Sequence, residues 1–269
     1  MPHSVITCAW LMVASTALAA EPATRTFAPP LFAFENGVAF GSFDNEAKTL
    51  KQLGYDGISQ VHAGGSQLAE RVAAYDRAGL RVLSVYLDVS DQPLAAELVA
   101  PLANRGALIE LTIRKRTPAT VDAVRQTAAM AARHKIRVAL YPHHGFAVAT
   151  MPQAMDLIRE VDHPNLGVML NLCHFLKGEP ADDLESALEQ AGSRLFAVST
   201  CGASLGGRSW NELIQPLDSG NFPQQRLFRK LRELQFTGPV SLQCYAVPGD
   251  KRTNLERSMT AWREILEKL

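Results

Sequence analysis

Residues 137–174 read RVALYPHHGFAVATMPQAMDLIREVDHPNLGVMLNLCH. The stretch opens on a short apolar run at 137–141. A turn-rich segment with Pro142 and Gly145 follows, and then apolar residues at helical spacing over 152–161. A second short apolar run occupies 167–171. Strand, helix and strand in this order form a crossover unit that lays its two strands parallel.

The same alternation extends in both directions. Strands are predicted at 31–34, 57–62, 81–88, 107–114, 137–141, 167–171, 194–200 and 239–245. Helical spacing is found at 45–53, 67–78, 94–103, 120–134, 152–161, 182–191, 224–234 and 254–269. Thr120 and Asp182 stand where helix N-caps are expected, and Gly54, Gly79 and Gly106 where C-caps are expected. Eight alternations in roughly 240 residues predict an α/β chain folded as a single (β/α)8 TIM barrel. A doubly wound open sheet would use fewer strands, and no GxGxxG follows the first strand. No linker or charge run divides the chain, so the barrel is assigned to 21–269. The longest irregular segment, 204–220, carries Gly206, Gly207, Trp210 and Pro216 and is expected to fold over the barrel mouth.

Residues 1–20 read as a signal peptide, with an apolar stretch over 5–18 and Ala17-Leu18-Ala19 as a small-x-small cleavage pattern. The expected location is therefore exported, periplasmic or extracellular, with no membrane span after signal removal. Lys+Arg and Asp+Glu both number 27, a balance that provides no basic field for nucleic acid. Cys173, Cys201 and Cys244 remain after the signal is removed; an odd number without a CxxC pair argues against a thiolate metal site.

In a barrel, polar side chains late in each strand and on one parity meet at the C-terminal mouth. This filter selects Gln60 and His62 on strand 2, then Ser84, Tyr86 and Asp88 on strand 3. Strand 4 gives Glu110, Thr112 and Arg114. Strand 5 gives Tyr141 and His143 with His144 beside them, and strand 6 gives Asn171 with His174 shortly after. Strands 7 and 8 give Ser199 and Cys201, and Gln243 and Tyr245. So many polar tips, each costly to bury unpaired, predict a polar pocket.

Leu140-Tyr141-Pro142-His143-His144-Gly145 resembles the Leu-Glu-Asn-His-Gly of strand 5 in xylose-isomerase-like TIM barrels, the sugar phosphate isomerase/epimerase-like superfamily. The run 167–174 resembles the strand-6 pattern of that family, in which an Asp precedes a His by three residues. Residues 215–220 resemble its Pro-Leu-Gly-x-Gly segment, and 236–243 its Tyr-x-Gly-x-Ile-x-Ile-Glu lead into strand 8. The resemblance implies a divalent metal held by Glu, Asp, His and Glu. Here those positions are Tyr141, Asn171, Ser199 or a neighbour, and Gln243. The inherited carboxylate ligands are absent, so the site is degenerate, because hard divalent ions depend on anionic oxygens. A different set of His143, His144, His174 and Glu110 stays open as a metal site.

His143 and His174 are the acid/base candidates, because imidazole titrates near neutrality. Glu110 is a further catalytic candidate, either as a base or resting in an ion pair with Arg114; the ion pair is favoured. Substrate binding is assigned to His62, Tyr86, Arg114, Tyr141, His144, Asn171, Lys177, Gln243 and Tyr245, with Trp210, Tyr86, Tyr245 and Phe175 suited to stacking on a sugar. A Cys201 thiol served by His174 is a weaker alternative to plain packing. The expected partner is a small-molecule carbohydrate. The expected function is an exported isomerase or epimerase, or a related lyase, moving a proton at carbon on a sugar or oxidised sugar. The alternative is a non-catalytic carbohydrate-binding barrel. A glycosidase would need two facing carboxylates, for which only Glu110 and Asp88 are available.

Overall fold

Among the described residues nine strand segments pair in parallel: β1 (Leu31–Phe34), β2 (Gly57–Ser59), β3 (Arg81–Val82), β4 (Ser84–Asp88), β5 (Leu108–Thr112), β6 (Arg137–Leu140), β7 (Leu166–Asn171), β8 (Leu195–Thr200) and β9 (Val240–Leu242). They belong to a computed structural model that describes residues 27–269 as a continuous span. The predicted signal peptide at 1–20 lies outside this described span. The predicted third strand is present as β3 and β4, separated by Leu83. The Leu83 N–H donates to the Ile58 carbonyl on one side, and its carbonyl accepts from the Leu108 N–H on the other. A Val61–Val85 bridge and the Tyr86 N–H to Val61 carbonyl bond complete the seam, so the β3-β2-β1-β9-β8-β7-β6-β5-β4 sheet closes on itself. The barrel read from the sequence is the barrel observed.

The helices are α1 (Phe43–Leu53), α2 (Gly65–Ala78), α3 (Thr120–Arg133), α4 (Met151–Val161), α5 (Leu172–Gly178), α6 (Leu184–Ala191), α7 (Trp210–Leu213), α8 (Gln224–Glu233) and α9 (Lys251–Glu267). Local chemistry sets their ends. Thr150 and Gln153 form a capping box that starts α4, and the Asp250 side chain caps α9. Gly54 and Gly79 close α1 and α2 in the left-handed conformation. Thr120 is not an N-cap; Ala119 holds that place, and the Thr120 hydroxyl accepts the Thr117 N–H. Asp182 lies in a 3-10 turn ahead of α6, whose N-cap is Asp183. The predicted third helix, 94–103, is instead two 3-10 turns, Ala96–Leu98 and Ala100–Leu102. Pro101 lacks the N–H that an α-helical ladder would need there. Gly106 therefore follows 3-10 turns rather than closing a helix. Among the described residues no helix is long and apolar enough to cross a membrane.

Strand parity divides the core. Outward residues such as Ile58, Val85, Leu111, Leu140, Val168 and Val198 pack under the helices. Phe32, Phe34, Leu83, Leu108, Ala139, Met169 and Ala197 fill the barrel itself. At the N-terminal end the Arg81 and Arg137 guanidinium groups lie 4.9 and 4.6 Å from the ring centroids of Phe32 and Phe196. Apolar packing therefore plugs the barrel from below and leaves the polar strand tips at its upper end.

Gly57 begins β2 at φ 150°, and a Cβ there would lie 1.9 Å from the Arg81 carbonyl oxygen. Neither backbone can yield without breaking the β2–β3 pairing. Gly57→Ala is therefore expected to destabilise the chain by about 2 kcal/mol or more in urea unfolding; an effect within experimental error would contradict this close approach.

Candidate active site

A cavity of about 500 Å3 opens at the C-terminal strand ends. Its floor comes from the positions at which the resemblance placed metal ligands. Tyr141, just past β6, is wholly buried and accepts a hydrogen bond from Asn171 Nδ2. Asn171 ends β7, and its Oδ1 accepts from Cys173 Sγ at 3.0 Å. The Asn171 amide is thus used at both ends and sits beneath the cavity rather than lining it. Burial pushes the Tyr141 phenol well above its ordinary range, so it stays a neutral O–H with its own proton to donate. Gln243 Oε1 accepts from Asn36 Nδ2 and from the backbone N–H groups of Cys244 and Tyr245, each at 2.9 Å. The two backbone donors fix which end of the amide is oxygen, and its NH2 group remains to donate. Ser199 Oγ is buried without a partner among the described residues.

These residues do not fit a divalent cation. A metal needs lone pairs, preferably anionic, and these positions offer a phenol, two amides already hydrogen-bonded and a buried hydroxyl, none of them charged. Among the described residues no three His, Cys, Asp or Glu side chains gather to replace them, so His143, His144, His174 and Glu110 do not form a second ligand set.

Two imidazoles stand over this floor. The His143 and His174 ring centroids are 4.0 Å apart. His143 Nδ1 lies 2.9 Å from the His144 carbonyl oxygen. A carbonyl only accepts, so Nδ1 carries the proton and Nε2 is left with a lone pair. His174 Nδ1 accepts the His144 backbone N–H at 3.2 Å, so the proton of that ring sits on Nε2. One residue's backbone thus sets opposite tautomers in two touching rings. Burial, followed by the neighbouring imidazoles, drives the His174 pKa down to about 2, and burial also lowers that of His143. Both rings are neutral at pH 7, one an acceptor and the other a donor.

Aromatic edges form the wall. Tyr86 makes T-shaped contacts with His62 and Tyr141, both with centroids 5.3 Å apart, and Trp210 of α7 meets His174 at 5.1 Å. Such contacts contribute about 0.5–1.5 kcal/mol each beyond burial. The 204–220 segment folds over the mouth as expected, bringing Trp210 and Ile214 to the cavity. Phe146 stacks on His143 at 3.9 Å and 16°, and the Arg114 guanidinium lies 4.2 Å from the Phe146 centroid. The backbone N–H of His62 donates to Glu35 Oε2 at 2.6 Å, and Glu35 is itself paired with the buried Arg71. Burial lowers the His62 pKa.

Several sequence-derived placements differ. Glu110 lies wholly buried below the cavity, where its Oε1 accepts from the Ser84 hydroxyl at 2.5 Å. The expected Glu110–Arg114 ion pair is absent. Arg114 sits at the half-exposed rim, with Nε 3.4 Å from Asp88 Oδ1, because following Glu110 inward would strip the guanidinium of water. Lys177 points away and donates to the Arg208 carbonyl. The His144 ring is exposed and edges Trp210 at 6.1 Å; its backbone is what reaches the site. Phe175 is packed in the core, out of reach of a stacked sugar. Cys201 is buried with its Sγ–H donated to the Leu213 carbonyl, so it makes no dyad with His174. Tyr245 lines the rim and is 55% exposed. Asn36, Phe146 and Ile214 line the cavity without having been selected, since a parity filter does not reach loops. Gln60 passed the filter without an assigned role; it lines the wall at φ 52°, a strained conformation for a non-glycine residue.

A family model described as the xylose isomerase-like TIM barrel matches residues 47–265. Among solved structures the chain is similar to a 3-keto-D-glucoside 4-epimerase from E. coli at TM-score 0.66 and 18% identity, covering 90% of this chain and 100% of that one. An L-ribulose 3-epimerase matches at TM-score 0.70 and 14% identity, over 90% and 95% of the two chains. A D-psicose 3-epimerase from Clostridium cellulolyticum H10 matches at 0.65 and 16%, over 89% and 99%. No curated protein sequence matches the chain.

Burial raises the Glu110 pKa from 4.5 to about 7, with the Ser84 hydrogen bond opposing. Between these two values the unfolded chain has released a proton that the folded chain still holds. Stability is therefore lost as pH rises through that window and levels off above it. Urea unfolding at pH 5 and pH 8 should show the wild type losing about 3 kcal/mol relative to Glu110→Gln; parallel pH profiles would show that Glu110 ionises freely.

Proposed function

Because the chain belongs to the xylose isomerase-like TIM-barrel family, we propose that it is an exported isomerase- or epimerase-like enzyme that transfers a proton at carbon on a sugar or oxidised sugar. Export rests on the pattern of residues 1–20. The solved structures it resembles include proteins described as sugar epimerases, which supports the substrate class. The observation that carries the chemistry is the pair of neutral imidazoles with opposite tautomers.

His143 Nε2 takes the proton from a carbon next to a carbonyl. The C–H electron pair moves to the carbonyl oxygen, giving an enediolate. The Nε2–H of His174 and the O–H of Tyr141 donate hydrogen bonds to substrate oxygens, preorganised by their buried surroundings. Returning the proton from His143 to the neighbouring carbon on the same face isomerises the sugar; inversion at the original carbon requires the enediolate to turn its other face to the same Nε2–H. A His174 ring with a pKa near 2 is poorly suited to hold a second proton, so its role is that of a neutral donor. The second reading, a binding barrel without turnover, is favoured by the spent acceptors at the metal positions.

Incubation with a sugar panel in deuterated water separates the two readings. Deuterium on carbon is expected for the wild type, with a loss of at least about a thousandfold in His143→Ala. The rate should fall as pH drops through a His143 pKa below the ordinary 6.5, because the base must be unprotonated. Saturable binding with no carbon-bound deuterium on any sugar would establish the binding barrel instead.

A further inference from the structure

The cavity wall carries no carboxylate among the described residues, and Arg114 is its only permanent charge. The guanidinium has a defined posture. It lies against Phe146, which in turn stacks on His143, so cation, aromatic ring and base form one layered group. Its contact with Asp88 runs through Nε at 3.4 Å, and both partners are substantially exposed, 54% and 39%. A half-exposed pair of this kind is screened and weak. The two Nη groups of Arg114 have no hydrogen-bond partner among the described residues.

The rest of the wall has the same bias. Gln243 presents its NH2 group because its oxygen is already taken three times. Tyr141 and His174 have an O–H and an N–H to donate. A neighbouring chamber of about 150 Å3 shares Asn36 and Gln243 with the main cavity, and among the described residues Lys251 is the charged residue of its wall. Lys251 makes no ion pair among the described residues. Every hydroxyl of a neutral sugar brings a proton of its own along with its lone pairs, and against this wall that proton would meet other donors. A carboxylate offers acceptors only, about four lone-pair sites on two oxygens, in the geometry that a guanidinium fork matches.

We propose that the substrate is a sugar acid whose carboxylate is bound by the Nη groups of Arg114. The proposal rests on reading this cavity as a carbohydrate site. It assigns Arg114 as a specificity-determining residue and explains how a barrel without an anionic cage can hold a negatively charged substrate. A cage of carboxylates would repel such a ligand; the neutral floor does not.

The test is calorimetric binding of D-glucuronate, D-galacturonate and D-gluconate, each against its uncharged primary amide, at low and high salt. At least one acid is expected to bind about tenfold or more tighter than its amide, with the advantage shrinking in high salt. Arg114→Gln should abolish that advantage, Arg114→Lys should retain part of it, and Asp88→Asn should increase it. Circular dichroism checks that each variant is folded, and substitution at the exposed rim leaves the core untouched. No acid preferred over its amide, or a preference that survives Arg114→Gln, overturns the proposal. Deuterium exchange on uncharged sugars together with no acid preference would remove this inference and leave the proton-transfer reading standing. An Arg114-dependent acid preference without exchange on any ligand would do the reverse.

Discussion

The site depends on the backbone of His144. Its carbonyl fixes the proton of His143 on Nδ1, and its N–H fixes the lone pair of His174 on Nδ1. Neither imidazole could choose its tautomer freely, since the backbone groups have only one role each. The residue is held in turn. The His143 N–H bonds the Val148 carbonyl, the Phe146 N–H bonds the His143 carbonyl, and the Ala147 N–H reaches the Ile113 carbonyl beyond β5. His174 needs no loop to bring it across, because α5 begins at the residue after β7 ends. Two adjacent strand ends thus converge on one residue's backbone, and the closed barrel is what sets their spacing.

Charge is managed by avoidance. Two cationic imidazoles at 4.0 Å would repel, and burial keeps both neutral. Glu110, buried inside the barrel, is held by Ser84 and pushed towards its protonated form. At the positions where the resemblance implies carboxylate ligands stand the amides Asn171 and Gln243, whose oxygens accept from Cys173, and from Asn36 and two backbone N–H groups. Both amide oxygens have a donor, which is what burying a polar group demands, while Ser199 Oγ has none among the described residues. Such a floor favours ligand acceptors over cations.

Much of the fold was legible because each strand run is short and apolar, and each helix carries its own stop signals, as at Gly54 and Gly79. The failures are local. Helical spacing over 94–103 ignored what Pro101 does to the backbone ladder, and α5 was hidden because its seven residues follow β7 without a break. Parity found Tyr86, Tyr141, His143 and Gln243 at the cavity because alternation is a property of the strand alone. It could not tell wall from floor: Glu110, Asn171 and Ser199 have the right parity but lie too deep. It was blind to Asn36, Phe146 and Ile214, which loops deliver. Lys177 and Phe175 failed because on a short helix direction, not sequence distance from the strand, decides what a side chain meets.

Nitrogen-15 NMR of the imidazole rings, followed from pH 8 down to pH 4, reads the protonation of each ring nitrogen of His143 and His174. Two neutral rings in opposite tautomers are expected, with the proton on Nδ1 of His143 and on Nε2 of His174, and no titration of His174 across this range. Identical tautomers, or a His174 that takes up a proton near pH 6.5, would contradict this assignment.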